Sequence, residues 1–118
     1  MAAVPGWPRD LPASHTSEFH EQVCGWLLDR APGDLRGSTI RQFPLALANL
    51  VVQVVAGELE GVRRAYATAR IDLRNSLDPD QIAKVQSALE SEGARLLGVQ
   101  REVALVRQAL QSNHAPIT

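Results

Sequence analysis

From Leu45 to Leu110 apolar or small residues recur three and then four positions apart. The first run is Leu45, Ala48, Val52, Val55, Leu59, Val62, Tyr66, Ala69 and Leu73. The second is Ile82, Val85, Leu89, Leu96, Val99, Val103, Val106 and Leu110, with Glu92 in the same stripe. Such spacing keeps one seam of a helix turned toward a partner helix. Folding the two runs about the segment between them sets Leu73 against Ile82, Tyr66 against Leu89, Leu59 against Leu96 and Val52 against Val103, with no slip in register. The expected fold is all-α: a long antiparallel, coiled-coil-like helical hairpin, its first helix at about 42–75 and its second at about 79–111.

The turn at 75–78 is expected to be short. Asp78 is a favoured N-cap, Pro79 suits the first helical position, and Gln81 completes a capping box. Asp80 adds negative charge at the helix N-terminus. Asn75 is expected to end the first helix in a left-handed conformation.

A shorter helix is predicted over about 17–30, capped by Thr16 or Ser17, with Phe19, Val23, Trp26 and Leu27 on one face. Pro32 and Gly33 stop it. Ser38 or Thr39 is placed to cap the approach to the first long helix, with Pro44 near its start. That long helix carries a second apolar stripe, Leu47, Leu50, Val54, Gly57 and Gly61, on the side away from the hairpin seam, and Val51 widens it. Two stripes need two partners. The 17–30 helix can cover the lower part of the outer one, which gives a three-helix base and a two-helix arm. Pro5, Pro8 and Pro12 make residues 1–16 an extended, Pro-rich arm. Its Trp7 and Leu11 either cover an apolar patch on the body or leave the arm free to dock on a partner. A frayed tail is expected over 112–118, so that 17–111 forms a single helical domain.

Composition narrows the functions. Of 118 residues, 45% are hydrophobic and 21% charged, the balance of a globular domain. A net charge of −1 gives no general electrostatic reason to bind nucleic acid or an acidic membrane. The single cysteine, Cys24, excludes an internal disulfide and fits a reducing compartment, hence a cytoplasmic expectation. No signal peptide is recognisable, and the most apolar window, Phe43 to Ala56, is too short for a membrane span and carries Asn49 and Gln53. Every basic residue but Lys84 is arginine, which with the abundant Ala, Gly, Val and Leu suggests a GC-rich bacterial genome.

Candidate chemistry is sparse. His20 and Cys24 are four apart on one helix, but zinc needs three or four protein ligands; His15 is a conceivable third, while His114 is distant in sequence. No nucleophile–base set, metalloprotease motif or phosphate-cradling loop is present. No catalytic residue, metal or cofactor is expected, and the chain is read as non-enzymatic. Glu92 is a carboxylate at a seam position and is expected to fix register by pairing with Arg63, with Arg95 also in reach. Gly57, Gly61 and Gly98 point away from the seam and form a smooth waist, either slack or a groove for another helix. With Leu47, Leu50 and Val54 they are the candidate partner-binding surface. Arg63, Arg64, Arg70 and Arg74 form a candidate phosphate ridge. The expected function is therefore a protein–protein interaction module, such as an adaptor, accessory subunit or small scaffold, binding a protein partner or a second copy of itself. The alternative is a nucleic-acid-associated factor using the arginine ridge.

Overall fold

The computed structural model describes residues 4–113. A chain of turns over residues 4–16 leads into α1 (Ser17–Leu28). Two 3₁₀ turns follow, at Gly33–Gly37 and Thr39–Gln42. Two long helices complete the fold, α2 (Pro44–Leu73) and α3 (Pro79–Asn113). There is no strand among the described residues. The molecule measures 61 × 33 × 24 Å, long because its helices of 30 and 35 residues rise about 45 and 52 Å. It is an all-α helical hairpin, with α2 and α3 packed against each other along their length.

Local chemistry sets the boundaries. Thr16 Oγ1 accepts from the Phe19 N–H at 3.2 Å and starts α1. The helix ends at Leu28, before Arg30, and the N–H groups of Asp29, Arg30 and Ala31 then bond back to Gly25, Leu27 and Leu28. Ser38 caps the second 3₁₀ turn through Ile40 N–H at 3.3 Å. Pro44 opens α2 at a position that needs no donor. The turn carries the reciprocal capping box: Gln81 N–H donates to Asp78 Oδ1 at 2.8 Å, and Asp78 N–H to Gln81 Oε1 at 3.0 Å.

Asn75 is not left-handed, nor is any other non-glycine residue among the described residues. The Ser76 and Leu77 N–H groups both bond the Leu73 carbonyl at 2.9 Å, which satisfies the helix end with right-handed backbone. At the other end α3 runs on to Asn113; the rest of the anticipated tail, 114–118 with His114, lies outside the described residues, as do residues 1–3 of the arm.

One core occupies the base. Phe19, Val23 and Leu27 of α1 meet Leu47, Val51 and Val55 of α2, with Leu96, Val103, Val106 and Leu110 of α3. Toward the turn only Ala69 and Ile82 are buried, outside that cluster. Base and arm thus differ in kind. A three-helix base can enclose side chains on every side, whereas two helices enclose only the line between them.

The N-terminal segment is docked and is not extended. Trp7 N–H bonds the Val4 carbonyl at 3.0 Å across Pro5-Gly6, and Gly6 takes φ +81°. That is the Pro-Gly turn in which the third residue must be left-handed, a conformation glycine adopts without strain. A Cβ on Gly6 would lie 3.5 Å from Leu105 Cδ1, so the turn rests on α3. Leu11 is buried, and the Trp7 ring packs 5.9 Å from Phe19.

A polar clasp reinforces this docking. Trp26 Nε1–H donates to Asp10 Oδ1 at 2.8 Å, and Arg30 donates to Asp10 Oδ2 at 3.2 Å. The Arg30 guanidinium lies 3.7 Å from the Trp26 ring centroid and bonds the Trp26 carbonyl at 2.7 Å. The hydrogen bond from Trp26, aided by Arg30, holds the Asp10 carboxyl below its usual value of 3.8. A depressed carboxyl pKa adds stability above the unfolded pKa and loses it as pH falls through the folded one. The clasp is therefore expected to stay closed at neutral pH and to open only below about pH 4. Tryptophan emission followed through acid titration will show this step, and Asp10→Asn should abolish it; an identical step in the variant would assign it elsewhere.

Candidate protein-binding surfaces

The outer stripe of α2 divides into covered and open positions. Leu47 is fully buried with Val51 in the α1–α2 core and is not available to a partner. Helix α1 lies over it, as the length of the Phe19–Leu27 face implies. Leu50 and Val54 are half-buried, and Gly57 and Gly61 are exposed, with nothing within 4 Å of a Cβ built on either. No charged residue interrupts α2 between Pro44 and Gly57. The helix holds an 18-residue window of mean hydropathy 1.5, of which 28% is buried within the chain. By length and composition that window is sufficient for a membrane span, contrary to the shorter Phe43–Ala56 estimate. The buried core helix of a globular domain meets the same criterion.

Gly98 does not join Gly57 and Gly61 in one waist. It lies in a hollow on α3 beside Pro5 and Gly6, with Arg101, Glu102 and Leu105, and no α2 residue lines that hollow. The reason is geometric. In a two-helix hairpin, residues turned away from the seam on opposite helices point to opposite outer surfaces.

Glu92 is half-buried and pairs with Arg95 on its own helix, at 2.7 Å to Nε. Among the described residues it forms no ion pair with Arg63. Gly93 faces Val62 instead, where a Cβ would lie 3.8 Å from Cγ1. The seam of α3 passes beside Glu92, and its carboxylate reaches solvent and a guanidinium three residues on. The bond to Glu92 raises the Arg95 pKa.

Tyr66 sits at the open edge of the seam. It is 38% exposed, and its hydroxyl donates to Glu90 Oε1 at 3.0 Å across the hairpin. That bond raises the phenol pKa, while Arg70 nearby acts in the opposite direction. A phenol turned inward in a two-helix arm would lose its hydrogen-bond partner.

The arginines do not form one ridge. Arg64 pairs with Glu60 at 3.2 Å. Arg63, Arg70 and Arg74 are spaced seven and four apart and share another face, about 100° round the helix from Arg64. None of these three forms an ion pair among the described residues.

Between the helices of the arm lies a groove of about 430 Å³ that pattern alone did not reveal. Leu59, Val62 and Tyr66 line it from α2, and Leu89, Gly93 and Leu97 from α3. Arg63 and Glu90 stand at its edges, and no residue of α1 or of the N-terminal segment lines it. The signal for it was the shift of the α3 seam toward Gly93, where the absent side chain leaves room.

Among the described residues no group of three His, Cys, Asp or Glu side chains is placed to hold a metal. His20 stacks edge-on against Phe19 at 5.4 Å, and Cys24 is half-buried, its thiol pKa raised by burial.

No protein family, no characterised protein and no solved structure matches this chain.

Proposed function

We propose that the chain is a non-enzymatic protein-interaction module, an adaptor, accessory subunit or small scaffold, that acts in the cytoplasm and pairs through the back of α2 with a second copy of itself. One observation carries this reading. On the back of α2, Leu50 and Val54 are only half-buried and Gly57 and Gly61 beside them stand open, so the stripe is not fully covered by its own chain. A half-covered apolar stripe beside open glycines offers a second helix both apolar contact and close approach. Gly57 and Gly61 let another helix approach closely beside Leu50 and Val54, and a two-fold pair is the commonest closed assembly. Two hairpins joined this way form a four-helix arrangement, which encloses what each leaves open.

Light scattering on the full chain at micromolar concentration tests the reading. Wild type is expected to be dimeric, and Gly57→Leu/Gly61→Leu monomeric with unchanged helicity. Both positions are open, so the added side chains meet no atoms of their own chain. A monomeric wild type, or a dimer unaffected by the double substitution, would remove the back of α2 as the pairing surface.

A further inference from the structure

We propose that the groove between α2 and α3 in the arm is the seat of an acidic amphipathic helix from a partner protein. The floor is apolar, formed by Leu59, Leu89 and Leu97. Gly93 removes the side chain that would otherwise fill it, and its nearest neighbour there is Val62. From Leu59 to Tyr66 the groove runs about 10.5 Å along α2, the rise of two helical turns. That span accepts apolar anchors at i, i+3 or i+4, and i+7 of a guest helix.

The rim selects its charge. Arg63 stands on the groove wall, and Arg70 lies one layer on, close enough for its charge to act on the Tyr66 phenol. Neither has an ion-pair partner among the described residues, whereas Arg64 and Arg95 on the same hairpin both do. The carboxylate at the groove, Glu90, accepts from the Tyr66 hydroxyl and belongs to the α3 wall, whereas the guanidinium groups belong to α2, so the acidic residues of a guest helix face α2. Two unpaired guanidinium groups beside an apolar floor are complementary to a helix carrying leucines flanked by glutamates. Arginine suits this role because its planar fork can grip a carboxylate bidentately. A phosphate backbone would find the same cations, but it has no use for a leucine-lined floor, and the aromatic at hand has its hydroxyl tied across the hairpin.

This deepens the interaction-module reading and rests on it only in requiring that the chain bind protein. The probe is a fluorescein-labelled helical peptide with leucines at i, i+3, i+4 and i+7 and glutamates on either side. Its anisotropy is followed on titration with the full chain, beside a peptide with lysines for the glutamates and a single-stranded oligonucleotide. The glutamate peptide is expected to bind, and the lysine peptide and oligonucleotide not to. Arg63→Glu/Arg70→Glu should weaken binding by roughly tenfold, the loss of two exposed ion pairs plus the added repulsion. Gly93→Leu should block binding without altering charge, and Arg101→Glu, outside the groove, should leave it unchanged. Circular dichroism of each variant confirms that the helices persist.

Absence of binding by the glutamate peptide overturns the proposal. So does equal binding of the lysine peptide, an affinity indifferent to the charge reversal, or tighter binding of the oligonucleotide. The readout is independent of self-association. A monomer that binds the glutamate peptide removes the α2 dimer and keeps the groove; a dimer that fails to bind it does the reverse.

Discussion

Replacing Leu59 by alanine is expected to cost about 2–5 kcal/mol of stability, as is replacing Leu96. Each is 3% exposed, and both belong to the base core at the level where the arm begins. Truncating either leaves a cavity that the long helices cannot close without shifting register, because each helix is held by its packing above and below. The double substitution should cost measurably less than the two single losses combined, since the second truncation enlarges a cavity already opened. Urea melts of the four proteins decide this. Strict additivity would mean that Leu59 and Leu96 do not face each other, and would displace the α2–α3 register built on them.

Phe19→Ala is expected to be comparably severe, at about 3–5 kcal/mol. Phe19 is fully buried and joins three parts of the molecule: α1, the α2–α3 core, and the N-terminal segment through Trp7. Loss of the ring should also free the segment, so a fall in stability should come with red-shifted tryptophan emission in the folded state. Destabilisation with native emission would show that the segment is anchored by the Asp10–Trp26–Arg30 clasp alone.

What could be known from sequence followed the range of the physics involved. The capping box at Asp78 and Gln81 was legible because its donors and acceptors lie within one turn of chain. The long seams were legible at the base, where Val52 to Leu59 and Leu96 to Leu110 supply large apolar residues at every step. Between Ala83 and Arg95 the apolar signal thins, and a three-four pattern cannot then distinguish one position from its neighbour. That is why spacing alone puts Glu92 in the seam that Gly93 occupies, and points to Arg63 as its partner where Arg95 serves.

Tyr66 met the spacing rule, yet its hydroxyl required Glu90, a constraint that periodicity does not carry. The glycine waist failed for a related reason, because a helical wheel gives direction about one axis and says nothing of the second helix. The docking of the N-terminal segment depends on Asp10 finding Trp26 and Arg30, contacts distant in sequence. Its Pro5-Gly6 turn, in contrast, was present in the sequence as a turn signal.

The contrast between a crowded base and an arm with only Ala69 and Ile82 buried beyond Leu59 and Leu96 has a mechanical consequence. Free energies of local opening vary within a fold according to how much apolar contact each part would lose. Here the arm has less to lose than the base, so it is expected to open before the foot does. The outer turns can splay, close and be reshaped at small energetic expense, like the free end of a tuning fork whose stem is clamped.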